Sequence, residues 1–358
     1  MAWSKKDLFF MRRCLLLANK GAGRVSPNPL VGAVLVREGK IIGEGFHTRF
    51  GAPHAEIEAM RGNDCTGATL YVSLEPCSHS SNEKKTPPCA PGIAASGIRR
   101  VLVATADPNP AVNGRGISLL RKAGIETSVG LLAKEAEGLN APFFKFMRAR
   151  KPYAVLKMAQ SSDGRIGVRG KGQVKISGRK FDSYAQQLRN RCDAILVGIG
   201  AVLSDDPRLT CRMRGGRNPA RIILDSNLSI PLPARVLQNA KREKVIIATS
   251  EKHSRAKAAK LRKMGASVFV CGKGKPSLRR LFSILPSQGI ISVLIEGGAG
   301  IAKAALSQKL VDKAIVCVSE MRLGSKCAVA SPIDKKFLLR LKMRKMGKDT
   351  IYEGAPTT

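Results

Sequence analysis

His54-Ala55-Glu56, followed by Pro76-Cys77 and then by Pro88-Cys89, is the stretch that decides how this chain folds. One imidazole and two thiols are three ligands of the kind that hold a catalytic zinc while leaving a fourth position open. Glu56, two residues after the histidine, is then placed to move protons rather than to bind metal. These groups can act together only if the elements carrying them end at one point. Thr69-Leu70-Tyr71-Val72-Ser73-Leu74 reads as a strand that delivers Cys77 at its end. His54 opens a segment whose apolar positions, Ala55, Ile57, Ala59 and Met60, read as a helix.

Working outward, the first thirty residues read as an amphipathic helix and then the loop Arg24-Val25-Ser26-Pro27-Asn28-Pro29, where two prolines fix the direction of the Asn28 amide. Val31–Val36 and Lys40–His47 follow as strands, Cys89 to about Ser96 as a helix, and Val101–Ala106 as a buried strand ending in Asp107-Pro108-Asn109-Pro110. Such alternation argues for a layered α/β sheet. Leu131 to Arg150 reads as a connecting helix, and the basic Arg148-Ala149-Arg150-Lys151 before Pro152 marks a boundary between domains at 1–150 and 151–358. The second half restarts with the strand Tyr153–Ala159 and the turn Ser161-Ser162-Asp163-Gly164. Strands at Asp193–Gly198, Arg221–Leu224, Val245–Ala248, Val268–Val270 and Ile291–Ile295 then alternate with helices. Glu296-Gly297-Gly298-Ala299-Gly300 lies between the last of these strands and a helix starting near Ile301, a setting that suits a phosphate-bearing ligand.

Composition narrows the function classes. The 358 residues favour two domains, and the 44% hydrophobic content is ample for packed cores. No apolar run reaches the 18 or so residues of a membrane span, and Leu8-Phe9-Phe10-Met11 is broken by Arg12-Arg13. Nine cysteines without framework spacing fit a reducing, cytoplasmic setting. The net charge is +36: residues 1–150 carry 21 Lys and Arg against 12 Asp and Glu, a net of +9, and the remainder 41 against 14, a net of +27. That field would attract phosphorylated substrates, a dinucleotide or nucleic acid. An aromatic content of 4% argues against stacking on nucleic-acid bases, and the densest run, Lys335 to Lys345, is read as a solvated face.

The first half resembles the cytidine-deaminase-like domain of the bifunctional riboflavin-biosynthesis deaminase/reductase family. The resemblance is carried by Ser26-Pro27-Asn28-Pro29-Leu30-Val31-Gly32, His54-Ala55-Glu56, Leu74-Glu75-Pro76-Cys77-Ser78-His79, Thr86-Pro87-Pro88-Cys89 and Asp107-Pro108-Asn109-Pro110. A tRNA adenosine deaminase shares the metal trio but has a short C-x-x-C, whereas eleven residues separate Cys77 from Cys89 here. The second half is similar to the family's reductase domain, and the resemblance fades after about Gly324. It implies an N-terminal three-layer cytidine-deaminase-like α/β domain and a C-terminal dihydrofolate-reductase-like α/β domain.

Zn2+ and NADPH are the implied cofactors, and the implied substrate is a diaminopyrimidinone carrying a ribosylamino 5′-phosphate. It would be deaminated at C2 with Glu56 carrying protons, then reduced at C1′ of the ribose. Asn28, His47, His79 and Lys85 match substrate-contacting positions in the first half, and Lys157, Gln173, Arg189, Leu209, Arg212 and Glu296 in the second. The cofactor is expected against Ala159, Lys175, Ala201, Asp205, Ser226 and Gly298-Ala299-Gly300-Ile301. The chain departs from the pattern twice. The Cys77–Cys89 loop is about three residues longer than expected, and Lys175 stands where the family usually has Trp. A protein with one active domain and a nucleic-acid base deaminase are the alternatives to this reading, and self-association is left open.

Overall fold

Every position of the strand Gly32–Arg37 except the last is buried, so both of its faces must be covered. In the computed structural model, which describes residues 3–79, 86–110, 112–172, 174–324 and 327–356, they are. Val34 and Val36 face Phe10, Met11, Cys14 and Leu17 of α1 (Lys5–Asn19). Ala33 and Leu35 face Ala55 and Ala59 of α2 (Ala55–Met60) and Cys89, Ala90 and Ile93 of α3 (Cys89–Ala94). Period-two alternation on a strand thus produces three layers.

That strand is β1. It pairs antiparallel with β2 (Lys40–Phe46) and β3 (Thr69–Val72), and β4 (Arg100–Val103) and β5 (Glu126–Val129) continue in parallel, giving the order β2-β1-β3-β4-β5. The helix carrying the metal candidates sits tight on this sheet because Gly45 of β2 has no side chain: a Cβ there would run into the Ala55 carbonyl. The segment expected as one connecting helix is two, α5 (Ala133–Leu139) and α6 (Ala141–Ala149), after α4 (Arg115–Lys122). Pro142 starts the second of these, and buried Asn140 at the joint bonds the N–H and C=O of Leu30 at 2.7 and 2.9 Å.

The described fold falls into two units, Met1–Arg150 and Lys151–Thr358. The second is built on a nine-stranded sheet. In chain order its strands are β6 (Tyr153–Gln160), β8 (Ala194–Gly198), β9 (Ala220–Leu224), β10 (Val245–Thr249), β11 (Ser267–Val270), β12 (Ser292–Ile295), β13 (Lys313–Val318), β15 (Lys342–Met346) and β16 (Asp349–Gly354), and their order across the sheet is β11-β10-β9-β8-β12-β6-β13-β16-β15. Pairing is parallel from β11 to β13 and antiparallel beyond. A two-stranded ribbon joins β7 (Arg165–Val168) to β14 (Ala328–Ala330). The helices that matter below are α7 (Arg179–Arg191), α8 (Ile199–Asp205) and α11 (Ala299–Ser307). The basic run from Lys335 is a short helix followed by β15, an edge strand on which Lys342, Met343, Arg344 and Lys345 are all exposed.

Candidate functional site

In the first unit, the N-terminal ends of α2 and α3 and the segment after β3 converge. His54 is the N-cap residue of α2, Cys89 is the first residue of α3, and Cys77 follows β3. His54 Nδ1 lies 3.5 Å from Cys77 Sγ and 3.2 Å from Cys89 Sγ, and one ligand atom from each residue lies within 4.8 Å of the others. A tetrahedral zinc with Zn–S of about 2.3 Å and Zn–N of about 2.0 Å needs ligand atoms about 3.5–3.8 Å apart. The three residues therefore fit that metal. The far nitrogen of the ring, Nε2, is 3.0 Å from Thr86 Oγ1, an outer hydrogen bond of the kind that orients a metal-binding imidazole.

Glu56 is 3% exposed, and its Oε2 is buried with no hydrogen-bond partner among the described residues. Burial first, and the negative charge at Cys77 second, push its carboxyl up to about 7. A divalent cation held by the thiolates would act in the opposite direction. Such a carboxyl, beside a metal seat and with one oxygen unused, is suited to taking and returning a proton near neutrality.

The space Glu56 faces is a cavity of about 210 Å³ lined also by Asn28, His47, His79, Asp107 and Asn109. Burial holds His47 below its usual range and so neutral. Its Nδ1–H donates to the Pro53 carbonyl at 3.2 Å, and its Nε2 accepts from the Asn28 amide at 3.2 Å. The Asn28 side chain is thereby fixed in direction. Burial also raises Asp107, to about 6. Lys85 lies outside the described residues.

In the second unit the polar residues gather at the C-terminal ends of the parallel strands, where open α/β sheets bind ligands. Glu296 follows β12 and Arg189 lies on α7. They meet in a two-pronged ion pair, Nε to Oε1 at 3.1 Å and Nη2 to Oε2 at 2.6 Å, with side chains 13% and 8% exposed. Arg189 also donates to the Thr210 carbonyl at 3.1 Å. Burial opposes ionisation of Glu296, but the charges of Lys157, Arg189 and Arg212 outweigh it and hold the carboxyl below its usual range. Gly298 is the N-cap residue of α11, so Ala299, Gly300 and Ile301 form its first turn, and the Ile301 side chain packs against Gly297 and Gly198.

Asp205 ends α8 exposed, accepting a hydrogen bond from Ser204, and the capping position belongs to Asp206. Ser226 follows β9, and its carbonyl accepts from Thr249 and Ser250. Ala159 on β6 and Ala201 on α8 are half-buried. The Leu209 side chain is buried in the core. Lys175 is exposed and pairs with Asp182 at 3.6 Å. Gln173 lies outside the described residues. Thr86 and Glu75 stand within the motifs that carry the resemblance, but the sequence assigns no role to them or to Thr210 and Asn140. Nothing in the spacing marks them, since their bonds run to residues distant in the chain.

Residues 152–354 match the family described as the RibD C-terminal domain, and residues 4–105 match the cytidine and deoxycytidylate deaminase zinc-binding region. The chain belongs to the RibD family. The match continues about thirty residues beyond the point near Gly324 where the resemblance was expected to fade. The riboflavin biosynthesis protein RibD of Aquifex aeolicus is 38% identical over 350 residues, covering 97% of this chain and 96% of that protein. That of Bacillus amyloliquefaciens is 43% identical over 296 residues, covering 82% and 79%. Among solved structures, Acinetobacter baumannii RibD superposes with a TM-score of 0.86 at 33% identity over 99% of both chains. A deaminase/reductase from Thermotoga maritima gives 0.84 at 35% identity, covering 98% of this chain and 99% of that one.

Membership in RibD carries both halves of the activity. The chain is a bifunctional deaminase and reductase of riboflavin biosynthesis, using Zn2+ and NADPH on a small phosphorylated pyrimidine. Its fold is the cytidine-deaminase-like domain joined to the reductase domain, as expected. No helix among the described residues is long and apolar enough to cross a membrane.

Proposed function

We propose that His54, Cys77 and Cys89 hold the zinc and that Glu56 is the proton carrier of a deamination at C2 of a diaminopyrimidinone bearing a ribosylamino 5′-phosphate. The observation that carries this is the unpaired, buried Oε2 of Glu56 facing the cavity beside the three ligands. Zinc bound there supplies Lewis acidity, which brings the pKa of water toward about 7. Glu56 takes a proton from the attacking water, passes it to the ring nitrogen, and later gives one to the departing ammonia. Asn28, held by His47, orients the ring, with His79 and Lys85 on the substrate. Atoms balance as water in and ammonia out.

In the second unit NADPH, when bound, would supply the hydride taken up at C1′ of the ribosyl group as its ring C1′–O4′ bond opens, with one proton from solvent going to O4′ and NADP+ left behind. Lys157, Arg189 and Arg212 surround Glu296 with positive charge that suits a phosphorylated substrate, and Gln173 and Leu209 complete that site. The amides of Gly298, Ala299, Gly300 and Ile301 at the start of α11 suit the cofactor's phosphates. Ala159, Lys175, Ala201, Asp205 and Ser226 line its remaining length. Each activity belongs to one unit, residues 1–150 and 151–358, and nine cysteines without a disulfide-framework spacing support a reducing cytoplasm.

The test is an assay of purified protein with the diaminopyrimidinone ribosyl phosphate, with and without NADPH, reading ammonia and NADPH oxidation separately. Ammonia should appear without NADPH, and NADPH should be consumed only after it. NADPH consumption without ammonia would overturn the order.

A further inference from the structure

The segment that carries Cys77 and the loop lining the far side of the cavity are joined by one carboxylate. Glu75 immediately precedes Pro76-Cys77 and is 3% exposed. Its Oε2 accepts the backbone N–H groups of Asp107 at 3.1 Å and Gly114 at 3.0 Å, and its Oε1 those of Gly116 at 3.0 Å and Ile117 at 3.3 Å. Four donors fill the four lone-pair sites of a carboxylate, so none remains for substrate or metal. Gly116 and Ile117 belong to the first turn of α4, where an acidic group is a common cap. Gly114 is the N-cap residue of α4, so its bond completes the cap, whereas the bond from Asp107 lies outside the helix altogether. Asp107 and Gly114 are the two ends of the loop that brings Asp107, Asn109 and Val112 to the cavity. The Glu75 backbone is itself fixed, its N–H donating to the Thr105 carbonyl after β4 at 3.0 Å. Gly116 closes the joint, because a Cβ there would run into the Pro76 carbonyl.

We infer that Glu75 is a positioning residue of the deamination site, fixing Cys77 and the Asp107–Gly114 loop relative to each other so that metal retention and substrate binding depend on the same side chain. Glutamine has the same shape but replaces one acceptor oxygen with an NH2 group, which turns a donor toward two buried N–H groups and leaves them unpaired. The inference rests on His54, Cys77 and Cys89 being the zinc ligands. Loss of zinc from the Cys77→Ser, Cys89→Ser protein checks that assignment separately.

The experiment compares Glu75→Gln with Leu120→Ala in the full-length protein. Leu120 is a fully buried α4 residue in the core, and its truncation loosens the same helix without touching the cinched loop. Zinc affinity is measured by chelator competition, ligand geometry by the visible spectrum of the Co2+-substituted protein, and KM and kcat by ammonia release, at a temperature where both variants are folded. Glu75→Gln should bind zinc about tenfold to a hundredfold more weakly, the usual range for a lost outer partner of a metal site. It should also shift the Co2+ bands and raise KM by about tenfold. Leu120→Ala should lower Tm and move none of these. Glu75→Gln behaving like Leu120→Ala in all three would overturn the inference. Should Glu75→Gln not fold, hydrogen exchange on the parent protein decides. On zinc removal the amides of Asp107, Gly114, Gly116 and Ile117 should lose protection together while those of α1 keep theirs. Unchanged protection at the four would overturn it equally.

Discussion

Arg189 and Glu296, 107 residues apart in sequence, meet through two parallel hydrogen bonds in a setting where both side chains are largely removed from water. A solvated helix arginine would not do this. The pair also reaches outward: Arg189 carries the Thr210 carbonyl, which stands two residues before Arg212.

Arg189→Lys keeps the charge but loses the planar fork, so it cannot hold both oxygens and Thr210 at once. NADPH oxidation should fall by about tenfold or more while ammonia release is unchanged. Arg189→Ala should in addition destabilise the second unit by about 3 kcal/mol, the lower end for breaking a buried pair, because Lys157 and Arg212 still face Glu296. Steady-state kinetics with both readouts and a denaturant melt check this.

Asp205 offers a cleaner separation of roles. It is exposed, its side chain bonds only its neighbour Ser204 among the described residues, and the cap of α8 is the next residue. Asp205→Ala should therefore change stability by less than about 0.5 kcal/mol. If it lies against the cofactor as proposed, NADPH oxidation should drop by about tenfold or more with ammonia still released. Unchanged reduction would remove it from the site.

Glu56→Gln preserves size and removes basicity. Deamination should fall by about 10²–10⁴-fold, the usual contribution of a positioned acid/base. Metal analysis should still find about one zinc per chain, and reduction of pre-deaminated substrate should continue near the parental rate. Equal damage to both activities in a folded variant would sink the two-site assignment. Cys77→Ser with Cys89→Ser should lose the zinc.

The first unit should also show a local acid sensitivity at Asp7. Burial opposes ionisation there, but bonds from the Ser4 hydroxyl, the Tyr71 hydroxyl and the Ser4 N–H, with the nearby Arg100 charge, hold its carboxyl below its usual range. Folded pKa below unfolded means that its contribution is complete above about pH 4–5 and is lost as pH falls through the folded value. The stability gap between the parent and Asp7→Asn should thus be constant near neutrality and close in acid. A gap independent of pH would exclude Asp7 as its source.

What the sequence made legible follows from range. His54, Cys77 and Cys89 sit at the ends of elements whose apolar periods are plain, so their convergence could be read from pattern. The strands to Ile295 were readable for the same reason. Asn140 was not, because its reason for interrupting a helix is Leu30, 110 residues away. Glu75 was not, because a buried acid reveals its donors only once the 107–117 segment is folded against it. The C-terminal strands were hidden differently: β15 is exposed and basic, without the alternation of a half-buried strand.

That edge strand bears on how the molecule behaves in company. Among the described residues the outer side of β15 pairs with no other strand, and such an edge invites a second strand to join it and extend the sheet. Two copies meeting there would set Lys342, Arg344 and Lys345 against their own kind, and like charges facing across a ladder repel. The protection is electrostatic and so has a range: at 0.15 M salt it extends about 8 Å, and at 1 M about 3 Å. Concentrated stocks should accordingly stay dispersed in dilute buffer and lose that tolerance as salt is raised.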